Sequence, residues 1–483
     1  MIQNRALDKL KTLVASDDPK LALLGVLIVC LGLGGAVGAL FGSLGPIIAL
    51  ALIGVGCVAY LMIRSTRWGL MALIGVVTLL PYATLPFKIV FTPTFLDLIL
   101  AALFGVWFLR LITGKETVFI GTAVGGPILV FLAWAVITFV AGLGHASLTP
   151  NVLRNFAEVI LAVLLFFVAV NRVKSAERLR QISIIFLLAG GGAAMLGVLF
   201  YILPELWTIR ILSLLRVVGY PTEGILRYIE DNPENPMRAI STSIDPNALG
   251  GLLIILTVIG VAFLFARRPV MPRRYLLSLV GAMALALYLT FSRGSLVGVA
   301  AALLVMSLLR YRKLLLYMIM LMILMLILPQ TQLYVTRFVE GLQGADLATQ
   351  MRFGEYKDAL TLISRYPLFG VGFAGTPDID IYLGVSNLYF LIAEQMGVIG
   401  VGLFLLISLI FFSRAHQTWR RLPPGHHLEA PLLGFSLAVL GAMVGGIFDH
   451  FFFNIQFTHL VALYWLVMGL GMATVLLVEA ELV

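Results

Sequence analysis

Charged residues are scarce in this chain of 483 residues. Only 12% of the residues are charged, whereas 61% are hydrophobic and the mean hydropathy is +1.04. A water-soluble domain cannot bury that much apolar surface, and the short alternating segments of an outer-membrane barrel do not occur. Long unbroken apolar runs are typical of membrane-spanning helices. The composition therefore predicts an all-α, polytopic integral membrane protein, with residues 1–483 forming a single transmembrane domain.

Cysteine is almost lacking, and so are motifs for nucleotides. Cys30 and Cys57 both lie within apolar runs, which excludes a disulfide framework or a cysteine metal cluster. No G-x-x-x-x-G-K-S/T phosphate loop occurs, and the carboxylates outside the apolar runs are scattered. We therefore expect no metal, no cofactor and no ATP-driven step. The net charge of +9 is explained by anchoring charge beside a membrane rather than by nucleic-acid binding.

Fourteen apolar segments approach the length of about 20 residues that a membrane span requires. They lie near 21–42, 44–63, 69–85, 95–113, 122–142, 152–170, 180–203, 247–266, 275–291, 294–309, 314–331, 386–412, 431–448 and 457–478. Basic clusters follow every second span, at 64–67, 110–115, 172–180, 267–274, 310–313 and 414–421. The positive-inside rule then puts these clusters and both ends of the chain in the cytoplasm. Two long loops, 204–246 and 332–385, are predicted to face outward.

Three arginines on the predicted outer side are candidate functional residues. Arg293 lies in F-S-R-G-S between two closely spaced spans, where a charge is costly and points to function. Arg238 begins the stretch R-A-I-S-T-S-I-D-P-N-A-L-G. Within it, Asp245 and Pro246 also suit the start of a helix, so a purely structural role for this stretch stays open. Arg352 precedes a P-L-F-G-V-G turn.

The order of these motifs resembles the O-antigen ligase and polymerase family. Members of that family are membrane enzymes that transfer glycans from a polyprenyl-pyrophosphate carrier. The resemblance runs from about Arg154 to Gly402, and more loosely to Asp449. It rests on R-x-x-x-x-x-x-D-P-N, S-R-G, the P-L-F-G-V-G turn and the N-L-Y that follows Ser386. Most members have a histidine immediately before that asparagine, where this chain has Ser386.

The resemblance implies that Arg238, Arg293 and Arg352 bind the pyrophosphate of the donor. Guanidinium groups suit this role because they bind phosphate oxygens in pairs and stabilise the charge on a departing pyrophosphate. We expect Arg238 and Arg293 to converge on one outward cavity. We also expect the 332–385 loop to form helices that roof it, with a hinge-like turn at Gly370, Gly372 and Gly375.

The group that activates the acceptor hydroxyl is left open by the sequence. Ser386 is too weak a base at neutral pH, so we expect it to point into the cavity near Arg293 as a hydrogen-bonding residue. His450, oriented by Asp449, is the first choice of base. Glu394 is the reserve, although it lies deeper in the same predicted span as Ser386.

Two further possibilities remain for this step. Glu355 and Asp358 lie on one helix face near Arg352, and we expect them to pair with Arg352 or Lys357. No strong base is needed if departure of the leaving group dominates the barrier.

The sequence and the resemblance together predict an inverting, metal-independent glycosyltransferase of the bacterial inner membrane, with its active site facing the periplasm. The donor is a polyprenyl-pyrophosphate-linked glycan. The acceptor is a second lipid-linked glycan for a polymerase, which the missing histidine favours, or lipid A-core for a ligase. A lipid-linked oligosaccharide transporter or flippase, or a non-catalytic scaffold, are the alternatives. The expected partners are these substrates, membrane lipids and other polysaccharide-assembly proteins, without nucleic acid.

Overall fold

The structure is a computed structural model that describes residues 12, 15–16, 18–45, 66–86, 88, 90–114, 119–376 and 384–482. Sixteen α-helices and no β-strand occur in this part of the chain. They are α1 (Pro19–Leu44), α2 (Thr66–Leu79), α3 (Phe95–Ile112), α4 (Gly125–Gly142), α5 (Pro150–Arg172), α6 (Ala176–Ile202), α7 (Glu205–Leu214), α8 (Pro246–Phe265), α9 (Arg273–Leu289), α10 (Arg293–Leu309), α11 (Arg312–Ile327), α12 (Gln332–Gln343), α13 (Leu347–Arg365), α14 (Leu388–Arg421), α15 (Glu429–Gly445) and α16 (Thr458–Leu482). The prediction of an all-α polytopic membrane protein is confirmed.

Seven of the described helices are long and apolar enough to cross a membrane by themselves: α3, α4, α5, α6, α8, α14 and α16. Shorter apolar helices lie within α1, α2, α10 and α15, and α11 forms a pair bent by 95° with the α12–α13 segment. A helix occupies thirteen of the fourteen predicted spans, and the remaining one, 44–63, falls almost wholly outside the described residues. The helices therefore follow the apolar runs.

The chain divides into two compact units, Met1–Arg64 and Ser65–Val483. In the first, α1 begins where the Asp18 side chain accepts a hydrogen bond from the Lys20 amide at 2.9 Å, with Pro19 in the first turn. All other helices belong to the second unit. Its centre is formed by α8 and α16, whose apolar windows are each 89% buried.

Small residues let the central helices of the second unit approach closely. A Cβ on Gly298 of α10 would lie 2.6 Å from the Gly441 carbonyl oxygen of α15. A Cβ on Gly469 of α16 would lie 2.8 Å from the Phe166 carbonyl oxygen of α5. Such contacts are typical of helices that associate within a membrane, where no hydrophobic effect drives them together.

Helix α14 is broken at Gly397, which has a left-handed φ of 68°. The break frees backbone groups, and the P-L-F-G-V-G turn satisfies them. The Val371 amide donates to the Glu394 carbonyl at 2.7 Å, and the Val398 amide donates to the Pro367 carbonyl at 2.8 Å. This turn is therefore docked into a broken span.

Two of the three glycines expected to shape this turn have the left-handed backbone that only glycine adopts readily. Gly370 and Gly372 have left-handed φ values of 64° and 80°, as their backbone freedom requires. A Cβ on Gly372 would lie 2.6 Å from the Gly142 Cα of α4, so the turn is wedged between two helices. Gly375 does not have a positive φ. The expected backbone freedom is therefore present at Gly370 and Gly372 and not at Gly375, and a hinge motion of this turn stays a prediction.

Basic side chains form ion pairs at the end of the second unit where α10 and α14 finish. Arg310 and Glu429 are 2.6 Å apart, and so are Arg414 and Glu479. The cleft described below lies at the beginning of α8 and α10, which is the other end of the same helices. This separation fits the predicted sidedness, which stays a prediction.

Candidate active site

An open cleft of about 760 Å³ lies where α8 and α10 begin and α12 and α13 pass over them. Four arginines line it: Arg238, Arg293, Arg337 and Arg352. The other lining residues are Tyr228, Ile229, Glu230, Asp231, Asn247, Phe291, Ser292, Leu347, Ala348 and Met351. The structure thus brings Arg238, Arg293 and Arg352 to one cavity, although they come from three separate segments. We call it the arginine cleft.

Arg238 is held by neutral oxygens. Its Nε donates to the Thr290 carbonyl at 2.8 Å and its Nη2 donates to Asn247 Oδ1 at 2.6 Å. Burial lowers the pKa of Arg238 to about 10, and the charge of Asp245 opposes this effect. The guanidinium therefore stays charged at neutral pH, with no carboxylate bonded to it.

Asp245 and Pro246 begin α8. The Asp245 carboxylate accepts a hydrogen bond from the Ala248 amide at 2.7 Å, and Pro246 lies in the first turn. The structural role that the sequence left open is therefore present. It also serves the cleft, because this cap sets the position of Asn247, which in turn bonds Arg238.

Arg293 is the first residue of α10, where the helix dipole disfavours a positive charge. Its Nη1 donates to the Arg337 carbonyl and its Nη2 to Asp346 Oδ2, each at 2.5 Å. Burial would raise the pKa of Asp346, but hydrogen bonds from Arg293 and Thr349 bring it below its usual value. Arg293 is therefore tied to the segment that covers the cleft.

The other two arginines of the cleft come from α12 and α13. Arg337 lies 3.4 Å from Glu230, whose loop forms the opposite wall. Arg352 forms no hydrogen bond or ion pair with the residues that the structure describes. Its guanidinium is therefore available to bind a ligand in the cleft.

Left-handed backbone conformations concentrate around the cleft. In the described part of the chain, five non-glycine residues have positive φ: Glu230, Asp231, Ser241, Ile244 and Phe291. Three of them line the cleft, and the other two lie between Arg238 and α8. Each costs about 1–3 kcal/mol and persists where the surroundings impose it, which is common at functional sites.

Ser386 belongs to a second group of polar residues, which we call the Ser386 cluster. It consists of Glu355, Tyr356, Ser386, Asn387, Asp449 and His450. The Ser386 amide donates to Glu355 Oε2 at 2.8 Å. The Asn387 side chain caps α14, accepting from the Tyr389 amide at 2.9 Å, and donates to the Ile447 carbonyl at 2.8 Å. These contacts join the start of α14 to the loop that carries His450.

His450 is oriented by a backbone carbonyl. Its Nδ1 lies 3.0 Å from the Val385 carbonyl oxygen, which can only accept, so this geometry assigns the proton to Nδ1. The lone pair of Nε2 is then available to accept a proton. Asp449 lies 3.8 Å from Nδ1 and accepts instead from the His450 amide at 2.9 Å. The expectation that Asp449 orients the imidazole is therefore replaced by orientation through Val385.

Burial raises the pKa of Asp449 to about 6, against the charges of His450 and Arg352, which lower it. Arg352 lines the arginine cleft, and Glu355, one turn further along α13, belongs to the Ser386 cluster. Helix α13 therefore joins the two groups. Ser386 is not among the residues that line the arginine cleft, so the structure does not bring it beside Arg293 as expected.

Glu394 and Glu355 are two of the remaining carboxylate candidates for the base. Glu394 is 1% exposed within α14, and neither of its carboxylate oxygens has a hydrogen-bond partner among the described residues. Glu355 bonds the Ser386 amide, so the expected pairing with Arg352 or Lys357 was wrong for Glu355.

Sequence reasoning did not single out Arg337, Asp346, Glu230 or Asp231 as site residues. Each lies in a loop or short helix without a distinctive motif, so only tertiary contacts mark it. Asn247 is the last residue of the D-P-N motif that the sequence analysis used, and the structure adds its hydrogen bond to Arg238.

Potential metal ligands in the described residues form one group of three, His426, His427 and Glu481. His426 Nδ1 accepts a hydrogen bond from the Leu428 amide at 3.3 Å, so its proton is on Nε2, which lies 3.4 Å from Glu481. A hydrogen bond from His426 Nε2 to Glu481 therefore accounts for the close approach of these two side chains. Asp378 and Asp380 form a D-x-D pair that the sequence argument overlooked, and they lie outside the described residues. The prediction of no metal site is untested.

Residues 277–405 match the family model of O-antigen ligase. The match includes Arg293, Arg352, Ser386 and Glu394, and it confirms the resemblance for the motifs within these residues. Arg238 and the D-P-N motif lie before the matched region. No curated protein matches the chain significantly.

Proposed function

We propose that this chain is a polymerase of O-antigen or exopolysaccharide. Residues 277–405 match the O-antigen ligase family, which indicates a membrane glycosyltransferase of the ligase and polymerase type. The donor would be a glycan on a polyprenyl pyrophosphate. The acceptor would be the sugar of a second lipid-linked repeat unit. The observation that carries the proposal is the convergence of four arginines on one cleft at the end of a membrane bundle.

The donor would bind with its pyrophosphate in the arginine cleft. Arg238, Arg293 and Arg352 would meet the phosphate oxygens, because guanidinium groups bind such oxygens in pairs and keep their charge. The same contacts would stabilise the charge that grows on the pyrophosphate as it leaves. Such stabilisation does not require a metal ion.

The acceptor would approach from the Ser386 cluster. Its hydroxyl oxygen would attack the anomeric carbon on the face opposite the pyrophosphate, forming the new glycosidic bond as the carbon–pyrophosphate bond breaks. The hydroxyl proton would pass to His450 Nε2, the nitrogen left free by the hydrogen bond to Val385. Attack from that face inverts the anomeric configuration, and polyprenyl pyrophosphate departs.

The alternative acceptor is lipid A-core, which would make the chain an O-antigen ligase. The description of the matching family favours it, whereas Ser386 in place of the usual histidine favours the polymerase. A transporter or flippase is supported less, because the charged groups concentrate at the ends of the helices. In the proposed arrangement the protein lies in the bacterial inner membrane with its cleft in the periplasm and both termini in the cytoplasm.

Purified full-length protein in lipid vesicles tests the proposal. It would be incubated with a lipid-linked repeat unit, with and without lipid A-core, and products would be separated by size. A polymerase lengthens the lipid-linked chain without the core acceptor, whereas a ligase labels only lipid A-core. Movement of the substrate across the vesicle membrane without any new glycosidic bond would support the transporter. Absence of both new products would overturn the proposed function.

A further inference from the structure

The four arginines of the cleft differ in whether a carboxylate forms an ion pair with them. Arg293 is paired with Asp346 at 2.5 Å, and Arg337 faces Glu230 at 3.4 Å. A carboxylate therefore offsets the charge of each of these two guanidiniums. Each pair also crosses between separate segments, so each holds one wall of the cleft against another.

The other two guanidiniums form no ion pair with a carboxylate of the described residues. Arg238 bonds the oxygens of Thr290 and Asn247, which are neutral. Arg352 forms no ion pair with the described residues. A sugar pyrophosphate diester has one negative charge on each phosphate. The two guanidiniums without an ion pair match that charge in number, so Arg238 and Arg352 can neutralise the donor.

Asp346 is well placed to hold Arg293 still. Its side chain is 1% exposed, and the Thr349 hydroxyl donates to Oδ1 at 2.6 Å while Arg293 donates to Oδ2. Both carboxylate oxygens are therefore engaged. Gly341 lies against the Arg293 guanidinium at a distance that leaves no room for a Cβ. The guanidinium is thus enclosed by a carboxylate, a carbonyl and a glycine.

We infer that Asp346 is a positioning residue for Arg293, and that Arg238 and Arg352 carry the charge of the bound pyrophosphate. Asp346 fixes the guanidinium so that its remaining N–H groups point into the cleft. Arg293 then acts as a rigid hydrogen-bond donor to the departing pyrophosphate. This inference rests on the proposed function, because it assumes a pyrophosphate donor in the cleft.

The test uses Asp346→Asn, which keeps the shape of the side chain and removes its charge. Binding of undecaprenyl pyrophosphate to the full-length protein in detergent would be measured by calorimetry, and turnover of a lipid-linked repeat unit would be measured separately. We expect kcat to fall about 10- to 100-fold, because the guanidinium loses its fixed orientation. Binding should stay equal or tighten, because Arg293 gains uncompensated charge.

Two further variants serve as a second test and as a control for Asp346→Asn. Thr349→Val removes the hydrogen bond to Asp346 Oδ1. It should lower kcat less than Asp346→Asn does and should not weaken binding. If Asp346→Asn does not fold, Thr349→Val tests the role of Asp346 instead. Glu479→Gln breaks a matched pair, Arg414 and Glu479 at 2.6 Å outside the cleft, and should change neither quantity.

Weaker binding with an unchanged kcat, or a parallel loss of both, would overturn the role of Asp346. Wild-type protein that binds no undecaprenyl pyrophosphate would overturn the proposed function itself. The two failures are therefore distinguishable.

Discussion

At the scale of single residues, the orientation of His450 decides which group can take the acceptor proton. Its Nδ1 is engaged by the Val385 carbonyl at 3.0 Å, which leaves Nε2 free. We expect His450→Ala to lower transfer by about 100-fold or more, the contribution of a general base. Ser386→Ala should have a mild effect, because the contacts of Ser386 to Glu355 and Tyr356 use its backbone.

The measurement is initial-rate transfer by the two purified variants at equal folded concentration. Full activity of His450→Ala would discard His450 as the base and leave Glu394 as the reserve. A gain of activity in Ser386→His would show instead that the site retains the geometry used by most of the family.

Asp449 links the chemistry of the site to its stability. Burial raises the pKa of Asp449 to about 6, so its ionised form is less favourable in the folded than in the unfolded protein. The cost is fully present above pH 6 and disappears as the pH falls towards the ordinary value of about 4. We therefore expect Asp449→Asn to stabilise the protein at pH 7.5, by roughly 1–3 kcal/mol, and not at pH 4.

Thermal unfolding in detergent at the two pH values measures this effect. Asp449 lies 3.8 Å from His450 Nδ1 and would stabilise the charge that His450 gains with the acceptor proton. Transfer activity of Asp449→Asn should therefore fall while its Tm at pH 7.5 rises, as for other residues kept for function at a cost in stability. A variant that is less stable than the wild type at pH 7.5 would contradict the assignment of Asp449 as a destabilised carboxylate.

At the scale of elements, the break in α14 supports the turn that leads from α13 towards the Ser386 cluster. Gly397 has a φ of 68°, and a Cβ there would lie 2.7 Å from the Pro367 carbonyl oxygen. Gly397→Ala should therefore destabilise the protein by about 1–3 kcal/mol from overpacking, with further strain from the left-handed backbone. The Tm and the yield of monodisperse protein would measure it.

Gly402 provides the matched control for this prediction, because it lies in the same helix. A Cβ on Gly402 meets nothing within 4 Å, so Gly402→Ala should be neutral or stabilising by up to about 1 kcal/mol. Equal Tm values for the two variants would show that the turn does not depend on the break in α14.

At the scale of the whole molecule, the proposed function requires the arginine cleft to face the periplasm. Glu234 is exposed in the 204–246 loop, and Glu177 is exposed at the start of α6, at the opposite end of the bundle. Cys30 and Cys57 would first be replaced by serine. We expect Glu234→Cys to react with a membrane-impermeant maleimide in intact spheroplasts, and Glu177→Cys to react only after lysis. The reverse pattern would place the cleft in the cytoplasm and remove the donor proposal.

The sequence by itself determined the membrane helices and several of the caps that begin them. Long apolar runs can satisfy their backbone groups in a membrane only as helices, so the spans follow directly from composition. Caps such as Asp245 and Asn387 involve neighbours within three residues, so the local sequence specifies them. Arg293 was also found this way, because a charge between two closely spaced spans is rare.

Only the tertiary structure decided the partners of these residues. Arg293 and Asp346 are 53 positions apart, and His450 and Val385 are 65 positions apart, so their contacts depend on how the helices pack. The same holds for Ser386, which faces Glu355 rather than Arg293 because α13 passes beside the start of α14. Local patterns specify where a helix begins and ends, whereas the contacts between distant helices follow from close packing of many side chains at once.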